Sequence, residues 1–65
     1  MSKRYHTLIA KRDNVWTIEF GDYQRDVVKQ EQEDTKERGV QMRIITSGDT
    51  QAEIIAAVDR QNGVA

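Results

Sequence analysis

Residues 22–38, DYQRDVVKQEQEDTKER, decide how this chain is read. Asp22 follows a glycine and suits a helix N-cap, since its carboxylate can accept a free amide hydrogen and is favoured by the positive end of the helix dipole. Tyr23 and Val27 recur at helical spacing and can fold onto an apolar surface. From Lys29 through Arg38 no residue offers anything to a core. Arg38-Gly39 then supplies a cation and a left-handed C′ glycine, with apolar Val40 beyond. The pattern predicts a helix of about 25 Å at 1.5 Å per residue, longer than a three-stranded sheet needs. Its second half is expected to overhang, anionic and facing outward.

Upstream, Tyr5–Ala10 (YHTLIA) and Val15–Phe20 (VWTIEF) are rich in β-branched and aromatic residues and flank Lys11-Arg12-Asp13-Asn14. Asp and Asn tolerate the left-handed conformations of tight turns, so the stretch reads as a β-hairpin. In the second strand Trp16, Ile18 and Phe20 alternate with Val15, Thr17 and Glu19, which predicts one apolar face. An even-numbered loop sets Tyr5, Thr7 and Ile9 beside that face, and an odd one sets His6, Leu8 and Ala10 there. The even loop is the one expected. Trp16 is expected in the core beneath the first helix.

Downstream, Val40–Thr46 (VQMRIIT) reads as a third strand, and Ser47-Gly48-Asp49 as a turn. Thr50-Gln51-Ala52-Glu53 matches a capping box. Ile54, Ile55 and Val58, flanked by alanines, stripe a second helix that ends near Gln61-Asn62-Gly63. The fold class is therefore α+β: a single ββαβα domain over residues 1–65, with a three-stranded antiparallel sheet of order 2-1-3. Both helices are expected on one face, leaving Val15, Thr17, Glu19 and Arg43 on an open one.

Sixty-five residues form one small core whose stability is marginal without help. The chain has no cysteine, hence no disulfide and no thiolate metal site. No apolar run reaches signal-peptide or membrane-spanning length. A cytoplasmic protein without membrane contact is expected, in the host cytosol if a phage encodes it.

Catalytic signals are weak throughout. His6 stands without a second histidine or a cysteine, so it reads as a sheet residue rather than as a metal ligand. Ser47-Gly48-Asp49-Thr50 lacks the glycines and lysine of a phosphate loop, and Asp49 would repel an anion. Carboxylates are plentiful, but a paired acid and base need a cleft that so small a fold hardly provides. No enzyme, no metal and no cofactor are expected.

Charge carries more information. The net charge is −1, yet residues 1–12 hold only cations and residues 13–38 hold twice as many acids as cations. Lys3, Arg4, Lys11 and Arg12, interleaved with Tyr5 and His6, form a candidate nucleic-acid contact at the basic hairpin end. Eleven carboxylates argue against that partner. The stronger candidate is the acidic helix: Asp26, Glu33 and Glu37 near one stripe, with Glu31 and Asp34 beside it. Lys29–Glu33, Glu33–Lys36 and Asp34–Arg38 are pairs that could soften its charge. Such a ridge suits docking on a basic surface, possible homo-oligomers aside.

Tyr5-His6-Thr7-Leu8, Trp16, and Phe20-Gly21-Asp22-Tyr23 before a charged helix resemble short accessory proteins of phages, prophages and their bacterial hosts. The Ile44-Ile45 strand and the alanine-rich last helix extend the likeness over nearly the whole chain. It brings no catalytic residue. The resemblance implies a compact protein that binds a host protein or nucleoprotein complex, and some proteins of this kind are anti-CRISPR inhibitors that mimic or block DNA.

Overall fold

A computed structural model describes residues 3–63, and the outermost positions of the expected domain, 1–2 and 64–65, lie outside the described residues. The elements are β1 (Arg4–Arg12), β2 (Val15–Asp22), α1 (Arg25–Asp34), β3 (Gln41–Gly48) and α2 (Gln51–Gln61). The sheet has the expected order β2-β1-β3, and β1 runs antiparallel to both neighbours.

Asp13 and Asn14 alone form the hairpin loop, both left-handed at φ 52° and 66°. Two positive φ angles match the right-handed twist of the flanking strands. Arg12 therefore faces Val15, Lys11 faces Trp16 and Ile9 faces Ile18, as an even loop requires. The register then slips, because Leu8 faces Phe20 and Glu19 is left over as a β-bulge. One extra residue moves every later side chain of β2 to the other side of the sheet. Trp16, Ile18 and Phe20 consequently do not share a face: Phe20 lies with Leu8, away from the other two.

The expected placement of both helices on one face is not what forms. Thr7, Leu8, Ile9 and Ala10 are consecutive and all essentially buried. Neighbours along a strand point to opposite sides, so both faces of β1 are covered. Ile9, Trp16 and Ile45 pack with Ala57 and Val58 of α2. On the other side Leu8, Phe20 and Met42 meet Glu31 of α1 and Thr35, where α1 buries Val28. Trp16 is thus a core residue, but under α2 rather than α1. Overall dimensions of 38 × 28 × 11 Å agree: the thin axis is the width of three strands spaced about 4.8 Å apart, and the middle one stacks helix, sheet and helix. The cause is in the composition of the strands. Leu8-Ile9-Ala10 and Ile44-Ile45 place apolar groups on both sides, and an open face would leave half of them in water, at about 1.5–3 kcal/mol for each large side chain.

α1 is shorter than the expected seventeen residues, spanning ten. Asp22 ends β2 instead of capping the helix, and its carboxylate accepts the Gln24 N–H at 2.7 Å. Gln24 takes the N-cap position without any side-chain bond. At the other end Thr35 donates its hydroxyl to the Glu31 carbonyl at 2.7 Å, and residues 36–38 leave the helix. Gly39 is left-handed as anticipated, at φ 83°, but in the turn that enters β3. The expected helical overhang does not form.

α2 follows its pattern. Thr50 accepts the Glu53 N–H at 3.2 Å and donates its hydroxyl to the Glu53 carboxylate at 2.7 Å. Asn62 is the C-cap, followed by left-handed Gly63.

Candidate functional site

Shortening α1 redistributes the acidic residues. Asp26 and Glu33, two turns apart, are exposed on nearly the same side of the helix, and Asp34 is exposed beside Glu33. Gln30 holds Asp34 through its side-chain amide at 3.0 Å. Glu31 turns inward, half-buried in a cleft with Leu8, Phe20 and Met42. Glu37 lies beyond the helix and pairs with Arg12 at 3.2 Å, so the expected stripe of Asp26, Glu33 and Glu37 does not form.

Arg12 is a clamp. Its Nε meets Glu19 of the bulge at 2.9 Å while its terminal nitrogens reach Glu37. Hydrogen bonds from Glu37 and then Glu19, reinforced by their charges, raise the guanidinium pKa further above its ordinary value. Among the described residues these two ion pairs form, whereas Lys29–Glu33, Glu33–Lys36 and Asp34–Arg38 do not. The clamp ties Glu37, three residues beyond the end of α1, to the end of β1.

The basic residues do not make one patch. Lys3 and Arg4 stand at the start of β1, Lys11 and Arg12 at its end. At about 3.3 Å per residue the strand separates the two groups by roughly 25 Å. Lys11 and Arg43 instead flank the Trp16 ring, at 5.8 and 4.8 Å from its centroid. That ring is 6% exposed and has no free face on which a base could stack.

His6 sits in β1 with its Nδ1 at 2.9 Å from the Thr46 hydroxyl. No group of three or more His, Cys, Asp or Glu among the described residues could hold a metal ion. No helix among them is long and apolar enough to cross a membrane.

One surface was not anticipated. Ile18, Tyr23 and Ile55, each about half exposed, open onto a groove of about 590 Å³ between β2 and α2. Tyr5 meets Tyr23 edge-on at 5.0 Å, and the Tyr23 hydroxyl donates to Asp49 at 3.0 Å. That bond, more than burial, raises the phenol pKa. The sequence pattern placed Ile18 on the apolar face of the second strand and Tyr23 in the helix expected to fold onto it, which concealed the groove. Of its polar groups, Tyr23 and Asp49 bond each other and Thr7 is sealed in its floor.

No protein-family model, curated protein or solved structure matches the chain.

Proposed function

We propose that this chain is a non-enzymatic, phage-type binding protein that docks on a basic surface of a host protein or nucleoprotein complex and inhibits or modulates it. The contact is the exposed anionic flank of α1, Asp26, Glu33 and Asp34. Glu31 and Glu37 drop out of the expected set, one half-buried and the other already neutralised by Arg12.

One observation carries this reading. The last turn of α1 gathers Glu31, Glu33 and Asp34 with no cation among them. The negative pole of the helix dipole disfavours carboxylates there. Departures from local preference concentrate where function requires them. A partner's lysines and arginines would supply the missing countercharge. Inhibition of a CRISPR complex is the narrower form of the proposal and rests on the resemblance to phage accessory proteins.

The test combines Glu33→Lys with Asp34→Lys. The double variant is expected to lose capture of its partner from host lysate, and to lose protection of phage DNA in a CRISPR interference assay. Its stability should rise by about 0.3–1 kcal/mol per site, since cations suit that helix end. Unchanged capture by a folded variant would reject the proposal.

A further inference from the structure

The sheet has two edges, and the chain treats them differently. Along β2 the edge is blocked twice. Asn62 accepts the Trp16 N–H at 2.7 Å and donates to the Trp16 carbonyl at 3.2 Å, so a side-chain amide occupies the place of a neighbouring strand. Further along, the bulge at Glu19 breaks the regular spacing that a new strand would need.

β3 carries no such device. Its eight residues pair with β1 without a register shift, contain no proline, and include Arg43 as their one charge. Arg43 is turned onto the α2 side, against Trp16 and Gln61. Because Trp16 directs its main chain outward, Lys11 opposite it must direct its own toward β3. Alternation along the ladder then turns the main chains of Met42, Ile44 and Thr46 away from β1. Among the described residues, no hydrogen bond reaches those three from the outer side. Their side chains lie on the α1 face, where α1 leans toward β1 and β2 and leaves Met42 and Ile44 half-buried and Thr46 exposed.

We propose that the β3 edge is a self-association surface, on which a second copy of this chain adds its own β3 antiparallel about a two-fold axis. The edge complements itself. With the axis at Ile44, that residue meets its counterpart, Met42 meets Thr46 of the other copy, and Arg43 meets Ile45. No charge of β3 then opposes its like, and about six main-chain hydrogen bonds form. Half-covered Met42 and Ile44 become shared between copies. The asymmetry of the edges favours this occupant over an unrelated strand: pairing through β3 satisfies both open edges at once, and the blocked β2 edges stop growth at two copies.

The test is sedimentation equilibrium of the full chain from micromolar to millimolar concentration. The expected mass rises from 7.5 kDa toward twice that value. Thr46→Pro removes an outward-facing N–H that a β1 partner does not use, a change that edge strands tolerate. It should hold the chain monomeric with an unchanged far-ultraviolet circular dichroism spectrum. Thr46→Lys, which keeps the main chain intact, should weaken association at least tenfold. A wild-type chain that stays at 7.5 kDa to millimolar concentration overturns the proposal, as does a dimer that both variants form as readily.

Discussion

α2 opens on Thr50, whose hydroxyl accepts the Glu53 amide, carries Glu53 in its first turn and Arg60 in its last, and closes on Asn62. α1 opens on Gln24, whose side chain caps nothing, and closes on carboxylates without a cation. Both helices cover the same three strands from opposite sides, so packing alone does not explain the contrast. α2 is held by local rules and by the bonds of Asn62 to the β2 edge. α1 is held by Val28 and by the Arg12 clamp just beyond its end. One helix is optimised for the fold, whereas the other keeps unfavourable charge on its solvent side. That imbalance marks α1 as the helix to search for a partner.

The largest expected effect tests whether the helices truly lie on opposite faces. Leu8→Ala and Ile9→Ala should each lose about 2–5 kcal/mol in denaturant unfolding, because one empties space beneath α1 and the other beneath α2. If one of the two adjacent substitutions proved nearly neutral, a single-sided sheet would be the better description. Next, Asn62→Ala should lose about 1–3 kcal/mol through its two bonds to the Trp16 main chain. Among the described residues, none at the end of α1 makes comparable contacts with a strand edge, so this substitution separates the two helices further. Smallest is the exchange of caps, read by thermal unfolding. Thr50→Ala should lose about 1 kcal/mol and Gln24→Ser should recover up to about that amount. Equal and opposite responses would show that α1 lacks only its cap.

Much of the candidate surface was legible in the sequence, since Glu33 and Asp34 sit in a run that offers nothing to a core and Asp26 lies two turns before Glu33 on the same helical side. What misled was the assumption that such a run continues as helix to Arg38. Thr35 returns its hydroxyl to Glu31, and Arg12, twenty-five positions before Glu37, withdraws that carboxylate from the ridge. Glu37 and Arg12 are both plain as charges, but nothing in their spacing pairs them. The groove at Ile18 and Tyr23 was hidden for a related reason, as apolar identity marks a residue for burial without saying whether anything arrives to bury it.

The order of the elements, the Asp13-Asn14 turn, the central place of β1 and the capped start of α2 were all set by the amino-acid chain alone. The turn and the cap depend on neighbours within a few residues, where dihedral preference and hydrogen-bond geometry act directly, and the central place of β1 follows from the rule that strands joined by a helical crossover run parallel. It took long-range packing to put α2 on the face opposite α1, to bulge Glu19 and send Phe20 to the other side, and to stop α1 at Asp34. Those outcomes depend on contacts between distant residues, and in a pleated sheet a single added residue reverses every side chain beyond it. The runs Leu8-Ile9-Ala10 and Ile44-Ile45 did carry the signal for a doubly covered sheet, because strands buried on both faces need not alternate.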